Sequence, residues 1–307
     1  MSENATTNHR GAQALALLEA ATSHEQIASS AGQNIRQWLT VPRYRDCVGI
    51  VTDHLKQAKW AELNEAFWTV APFGTAGRRA RMYPIGSNAM NSWTVGETAQ
   101  GLAKYCSFKG GDPTERRVAI AYDTRHRSRE FAELCAEVMA AAGYRVFCWE
   151  SYRSTPELSF AVRQLDCCCG IMISASHNPP SDNALKIFGP DGGQLRPDDV
   201  EGVLLAMSEI TEIRRRRFAE ARAAGQIVYC QEEMDHRYQA AVLAQAWPGP
   251  RALKLLYSPL HGVGLTSVWP VLKADGFRSI EIYAPQAEPD GSFPNVPQGV
   301  ANPEEPA

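Results

Sequence analysis

The alternation of short apolar segments with amphipathic stretches between residues 117 and 174 constrains this chain most strongly. The segments RVAIAYDT (117–124), YRVFCW (144–149) and CCGIMIS (168–174) are compact and apolar, which predicts three buried strands. A helical pattern separates each strand from the next. Because strands joined in this way form right-handed crossovers, the order predicts an α/β fold with a largely parallel sheet.

Both intervening helices carry signals for their ends. In the first helix, apolar residues recur at the spacing of one face: Phe131, Leu134, Cys135, Val138 and Met139. Gly143 follows where a left-handed residue would end this helix. In the second helix, Thr155 is the predicted N-cap and Pro156 the first helical residue.

The pattern predicts three regions. Residues 1–69 are expected to form a helical N-terminal extension, 70–235 a three-layer α/β domain with a mostly parallel mixed sheet, and 236–307 the start of a second similar domain. Residues 71–93 are predicted to be an ordered loop, because glycines, prolines and arginines interrupt the periodicity. One long helix is expected over 198–223.

Composition argues against several classes of function. The 307-residue chain has a net charge of −3, which does not suggest a nucleic-acid partner. No apolar run approaches the roughly 20 residues that span a bilayer. Glu19 interrupts the N-terminal apolar stretch, which makes it a poor signal peptide. Eight cysteines without a C-x-x-C pair favour a reducing compartment. We therefore expect a cytoplasmic protein without a membrane partner.

A serine stands at the end of the third predicted strand, in the segment GIMISASHNPPSDNALKIFG. Ser176 has His177 beside it, and Lys186 follows later in the same segment. Loops that follow parallel strands share one sheet edge, so 123–125 and 154–155 are expected to converge with this segment. A serine–histidine pair alone is more often part of an ordinary turn. No G-x-S-x-G elbow supports a serine hydrolase.

The longer string SASHNPPSDNALK resembles the active-site serine loop of the α-D-phosphohexomutases, the superfamily of phosphoglucomutases and phosphomannomutases. Further segments are similar to other motifs of this family and follow the same order along the chain. They are FGTAGRRA (73–80), YDTRHRSREFA (122–132), STPEL (154–158), YSPLHGVG (257–264) and, towards the C-terminus, DGSFPNV and NPEE. The resemblance extends from about residue 70 to the C-terminus.

This resemblance implies a phosphosugar mutase, an intramolecular phosphotransferase that acts between the 1 and 6, or 5, positions of a sugar phosphate. Ser176 would carry the phosphate, and His177 and Lys186 would neutralise its charge and move protons. Phosphate or substrate contacts would come from Arg79, Thr75, Arg125 and Asn178. The implied cofactor is Mg²⁺, reached here through the phosphate on Ser176. A sugar bisphosphate would be the activator and intermediate.

Departures from the family pattern set further expectations. Ser174 replaces a threonine and keeps the hydroxyl. Ala184 replaces a glycine, which would be costly if the position needs a positive φ. No Asp-x-Asp-x-Asp-Arg metal loop occurs, and EPDGSF offers only Asp290 near Glu288, so the chain is expected to be truncated before that loop. The alternative function is a fragment that folds or binds phosphosugar without turnover.

Other conspicuous residues have simpler interpretations. Arg214–Arg217 is flanked by acidic residues and is expected to lie on a solvated helix face. His261 is expected to pack within a turn. The seven histidines lack H-x₃₋₅-H spacing and do not indicate a zinc site. Asp123 and Arg125 are expected to brace the serine loop.

Overall fold

The computed structural model describes residues 2–74, 77–109 and 116–300. The helices are α1 (Ser2–Ser23), α2 (Ser29–Thr40), α3 (Val48–Lys56), α4 (Trp60–Phe67), α5 (Ser92–Phe108), α6 (Ser128–Ala141), α7 (Thr155–Gln164), α8 (Pro197–Ser208), α9 (Phe218–Ala223), α10 (Gln231–Leu243) and α11 (Val268–Ala274). The strands are β1 (Phe73–Gly74), β2 (Gly77–Arg81), β3 (Arg117–Tyr122), β4 (Arg145–Cys148), β5 (Cys169–Ile173), β6 (Asp182–Phe188), β7 (Ile227–Tyr229), β8 (Leu255–Tyr257) and β9 (Ile280–Ile282).

Seven strands form one mixed sheet in the order β1-β2-β6-β5-β3-β4-β7. Strands β5, β3, β4 and β7 run parallel, whereas β6, β2 and β1 join by antiparallel ladders. The three predicted strands are therefore central, and apolar side chains cover both faces. One face packs on α5, α6 and α8, and the other on α7 and α10. The predicted α/β class with a mixed sheet is confirmed.

The predicted loop over 71–93 contains two strands, and this expectation was wrong. Residues of β2 pair with β6, with Gly77 opposite Lys186 and Arg79 opposite Ala184. A Cβ at Gly77 would lie 1.9 Å from the carbonyl oxygen of Leu185, so the close approach of the two strands requires glycine. The pairing is long-range, and its arginine-rich sequence carries no strand signal.

The predicted long helix over 198–223 is interrupted, and Arg214–Arg217 lies in an irregular segment between α8 and α9. Glu137 of α6 holds this segment. Its carboxylate accepts from Arg215 at 2.7 Å and from the backbone N–H of Phe218 at 2.9 Å, and its carbonyl accepts from the backbone of Arg216. Because a neighbouring helix satisfies these groups, the helix does not continue.

The boundaries of the two helices between the central strands agree closely with the sequence. Gly143 adopts a φ of +88° after α6, as expected. The N-cap of α7 is Ser154 instead of Thr155. The Ser154 hydroxyl accepts from the backbone of Glu157, whose carboxylate accepts from the backbone of Ser154 in return.

The flanking regions also follow the predicted pattern. Helices α1 to α4 bury their own apolar cluster, centred on Ile35, Trp38 and Phe67. Near the C-terminus, β8, α11 and β9 form a strand–helix–strand unit whose two strands are parallel. No helix in the described ranges combines the length and apolar character needed to cross a bilayer.

Candidate functional site

The serine loop follows β5 and holds Ser176 in a left-handed backbone conformation, with a φ of +56°. A non-glycine residue in this region costs on the order of 1–3 kcal/mol. The backbone N–H of Ser176 donates to Ser174 Oγ at 3.1 Å, and that of Asn178 donates to the carbonyl of Ala175. Ser176 and His177 are both exposed. The loop therefore displays its serine at the surface at a cost in backbone strain.

Arg125, which follows β3, holds the loop from beneath. Its Nη2 donates to the carbonyl oxygens of Ser176, at 2.7 Å, and Asn178. Its Nη1 donates to the carbonyls of Pro179, at 2.8 Å, and Asp182, at 3.2 Å. The Arg125 side chain is only 1% exposed. One buried guanidinium thus fixes four carbonyls of the loop.

Asp123 completes this brace. Its carboxylate lies 3.6 Å from Arg125 Nε and accepts from the Arg125 backbone and from Ser128 Oγ. Burial raises the pKa of Asp123 and lowers the pKa of Arg125, because a dry site disfavours both charges. The ring of Phe293 lies 5.0 Å from the Arg125 guanidinium. The expected brace is present, and a residue near the C-terminus covers it.

Strand alternation gives two neighbouring arginines different surroundings. Arg78 is buried and pairs with Glu97 at 3.3 Å. Arg79 points to the other face, is exposed, and donates to Asn178 Oδ1 at 3.0 Å. The Asn178 amide in turn donates to Asp182 at 3.0 Å. Arg79 therefore faces the serine loop, whereas Arg78 is part of the core.

Lys186 lies on β6, opposite Gly77 of β2 and Met172 of β5. It borders a cavity of about 250 Å³, which it shares with Arg79. The remaining lining residues are Pro72, Gly74, Gly77, Arg78, Ala184 and Gln194. Burial lowers the pKa of Lys186, and the positive charges of Arg79 and Arg125 lower it further. The cavity is therefore cationic and fits an anion.

The structure brings most of the predicted site residues to one edge of the sheet. Arg79, Arg125 and Asn178 contact one another or the serine loop, and Lys186 lines the neighbouring cavity. Thr75 lies outside the described residues. Ala184 lies within β6 and has no positive φ, so the glycine-to-alanine change introduces no backbone strain there.

Asn183 is a positioning residue that the sequence reasoning missed. It is fully buried, and its amide donates to Ser128 Oγ at 2.9 Å and to the carbonyl of His126 at 3.1 Å. These bonds tie the start of β6 to the start of α6. The signal was present in SDNALK, where a polar amide directly precedes the apolar pair Ala184 and Leu185.

The fold and this site define a class of protein: α/β/α proteins with an exposed serine on a braced loop beside basic side chains. A sequence model of the family described as "Phosphoglucomutase/phosphomannomutase, alpha/beta/alpha domain I" matches residues 71–214. Residues 71–214 therefore belong to this family as its domain I.

Curated relatives agree with this assignment. A phosphoglucomutase from Staphylococcus epidermidis is 34% identical over 259 residues, which covers 83% of this chain and 46% of the relative. One from Staphylococcus saprophyticus is 35% identical over 262 residues, with 84% and 46% covered. The chain thus spans about half the length of the curated relatives it matches.

Solved structures share the fold. A phosphoglucomutase/phosphomannomutase family protein from Burkholderia thailandensis superposes with a TM-score of 0.57 at 21% identity, covering 73% of this chain and 45% of the other. The parafusin phosphoglucomutase of Paramecium, in its open form, gives a TM-score of 0.55 at 15% identity, with 75% and 45% covered.

The family generally uses a metal cofactor, so we tested whether residues near Ser176 fit one. In the described ranges, three or more cysteine, histidine or carboxylate ligands come together at Cys106, Cys168 and Cys169, and not at Ser176. The nearby carboxylates of Asp123 and Asp182 already accept hydrogen bonds from their neighbours. The described residues therefore do not form an oxygen-ligand set for Mg²⁺ at the serine.

Proposed function

We propose that this chain is the serine-bearing part of a phosphosugar mutase in which Ser176 carries the transferred phosphoryl group. The observation that carries the proposal is the geometry of the loop. A buried arginine holds its carbonyls, so the Ser176 side chain is exposed while its backbone is fixed. Phosphoryl transfer depends mainly on such positioning and on neutralisation of charge.

The proposed reaction consists of two reciprocal phosphoryl transfers. First the P–Oγ bond of phosphorylated Ser176 breaks, and a bond forms between phosphorus and a hydroxyl oxygen of the sugar phosphate. The hydroxyl proton passes to a base, and the serine oxygen gains a proton. The resulting bisphosphate then returns its other phosphoryl group to Ser176, so phosphate moves between the 1 and 6, or 5, positions.

The surrounding residues have separable roles in this proposal. Arg79 is exposed beside the loop and binds a phosphate, oriented by Asn178. Lys186 neutralises phosphoryl charge, and its lowered pKa suits it to proton transfer. His177, exposed next to Ser176, is the second candidate for moving a proton. The Nη1 and Nη2 groups of Arg125 already donate to carbonyl oxygens of the loop, which favours a positioning role over a phosphate contact.

The remaining features of the proposal rest on the family. Mg²⁺ would reach the site through the phosphate on Ser176, a sugar bisphosphate would be the activator, and the substrate would be a hexose or pentose phosphate. We propose domain boundaries near residues 70 and 235, because the seven-stranded sheet lies between them. A cytoplasmic location is supported by cysteines that are all unpaired.

A second candidate is phosphosugar binding without turnover. It is favoured by the lack of metal-ligating carboxylates around Ser176 in the described residues. In this case the cationic cavity beside Arg79 and Lys186 would still bind a phosphate. The two candidates differ in whether phosphate moves, which an assay can measure directly.

The test is phosphoryl transfer from ³²P-labelled glucose 1,6-bisphosphate to the purified chain, followed by peptide mapping. We expect label on Ser176 and none in Ser176→Ala. Ser181→Ala is the matched control, because Ser181 is an exposed serine of the same loop, and it should label normally. Label that persists in Ser176→Ala, or that never appears on the folded wild-type chain, would refute the assignment.

A coupled mutase assay with glucose 1-phosphate, Mg²⁺ and a trace of bisphosphate separates the two candidates. Turnover that vanishes in Ser176→Ala supports a mutase. Saturable binding of glucose 1-phosphate without labelling or turnover supports the binding-only candidate.

A further inference from the structure

Three cysteine thiols converge at the edge of the sheet opposite the serine loop. Cys106 lies in the last turn of α5, Cys168 precedes β5, and Cys169 begins that strand. Their Sγ atoms all lie within 4.8 Å of one another, and those of Cys168 and Cys169 are 4.0 Å apart. Free cysteines commonly fill cores singly, as small apolar side chains. Here three thiols lie together instead, close enough for one metal ion to contact all three sulfur atoms.

We propose that Cys106, Cys168 and Cys169 bind one thiophilic d¹⁰ cation, with Zn²⁺ as the cellular ion. Thiolates select such ions over Mg²⁺ or Ca²⁺, which prefer oxygen ligands. The three cysteines supply three ligands from two elements that lie far apart in the sequence. A bound ion would fasten the C-terminal end of α5 to the start of β5.

The geometry is close to that of a metal–thiolate site. Zinc–sulfur bonds of about 2.3 Å in a tetrahedron place the sulfurs about 3.8 Å apart. Cys168 and Cys169 already match this separation, and Cys106 has at most about 1 Å to close, which a change in side-chain torsion supplies. Cys106 and Cys168 are partly exposed, so a water molecule can reach the fourth position.

The electrostatics also favour a cation. Metal ions bind cysteine as the thiolate, so a bound cation would displace the thiol protons of the cluster. The last turn of α5 adds the partial negative charge of a helix C-terminus.

This site is separate from the proposed serine chemistry. Cys169 and Ser176 lie at opposite ends of β5, and at roughly 3.3 Å per residue the chain between them spans about 23 Å at most. The proposed metal site can therefore be tested independently of the mutase proposal. Cys167, although adjacent in sequence, is buried on the other face of the sheet. It supplies a matched control.

The test titrates the reduced, metal-free chain with Cd²⁺ as a spectroscopic probe and Zn²⁺ against a chelator. We expect one Cd²⁺ per chain with ultraviolet thiolate-to-metal charge transfer. Cys106→Ala and Cys168→Ala should each weaken Zn²⁺ binding by about 100-fold or more, because a ligand is lost. Cys167→Ala should bind as the wild type does. Equal binding by Cys106→Ala and Cys167→Ala, or no charge-transfer band in the wild type, would overturn the proposal.

A measurement on the wild type alone covers the case in which a variant fails to fold. Bound Zn²⁺ should slow alkylation of Cys106 and Cys168, mapped by mass spectrometry, by at least about tenfold. Cys47 is also partly exposed but lies outside the cluster, and its alkylation should not change. Equal protection of all three thiols, or protection of none, contradicts the site.

Discussion

The buried guanidinium of Arg125 donates to the carbonyl oxygen of Ser176 at 2.7 Å, although Ser176 itself is exposed. The contact explains how a strained loop stays ordered. The left-handed φ of Ser176 turns its carbonyl inward to the guanidinium, and the side chain is left at the surface. The buried guanidinium of Arg125 thereby fixes the backbone that carries the exposed Ser176 hydroxyl.

Removing the brace should destabilise the fold. Arg125→Met leaves the buried Asp123 carboxylate without its counter-charge, and we expect a loss of about 3–5 kcal/mol in the free energy of unfolding. The measurement is urea denaturation followed by circular dichroism. Arg79→Met is the control: its side chain is exposed, and we expect a change within about 0.5 kcal/mol. Similar losses in both variants would refute the distinction.

Relieving the strain at Ser176 should stabilise the chain. Ser176→Gly and Ser176→Ala both remove the hydroxyl, but only glycine adopts a φ of +56° without steric cost. We expect Ser176→Gly to be more stable than Ser176→Ala by about 1 kcal/mol in urea denaturation. Both variants should fail to take up phosphate. Alanine equal to or better than glycine would show that the loop is unstrained.

Gly77→Ala should be far more damaging than Gly143→Ala. The added Cβ at position 77 would meet the Leu185 carbonyl oxygen at 1.9 Å, and separating β2 from β6 should cost about 3 kcal/mol. At Gly143 nothing lies within 4 Å, so only the positive φ is penalised, at about 1 kcal/mol. Thermal unfolding of the two variants compares the costs directly, and equal shifts in Tm would contradict the tight strand pairing.

Lys186 should lose its proton at a lower pH than Lys109. Burial and nearby arginines lower the pKa of Lys186, whereas a hydrogen bond to Asp199 raises the pKa of Lys109. The pH midpoint for acylation by an amine-directed reagent, followed by mass spectrometry, should therefore be lower for Lys186. The reverse order would remove the basis for its proposed proton transfer.

The lowered pKa of Lys186 also determines how its contribution to the free energy of unfolding changes with pH. Between the lowered pKa of folded Lys186 and the ordinary value of 10.5, the unfolded chain binds more protons than the folded one. The contribution of Lys186 to stability therefore rises with pH across this window. Lys186→Met should flatten that part of the pH profile in urea denaturation.

The sequence by itself determined the central strands, the two helices between them and the position of Ser176 after β5. These features depend on short-range periodicity and on capping residues, whose effects act within a few positions of the chain. The family motif added the identity of the loop and of Arg79. It also gave the glycine of β2, although not the reason for it.

Only the tertiary structure decided which distant groups meet. The pairing of β2 with β6, the interruption of the predicted 198–223 helix by Glu137 and the four carbonyls on Arg125 all join residues remote in sequence. Cys106 reaches Cys168 and Cys169 in the same way, without any spacing that a metal motif would show. Local sequence patterns do not predict such contacts, because residues remote in sequence meet only after the chain packs.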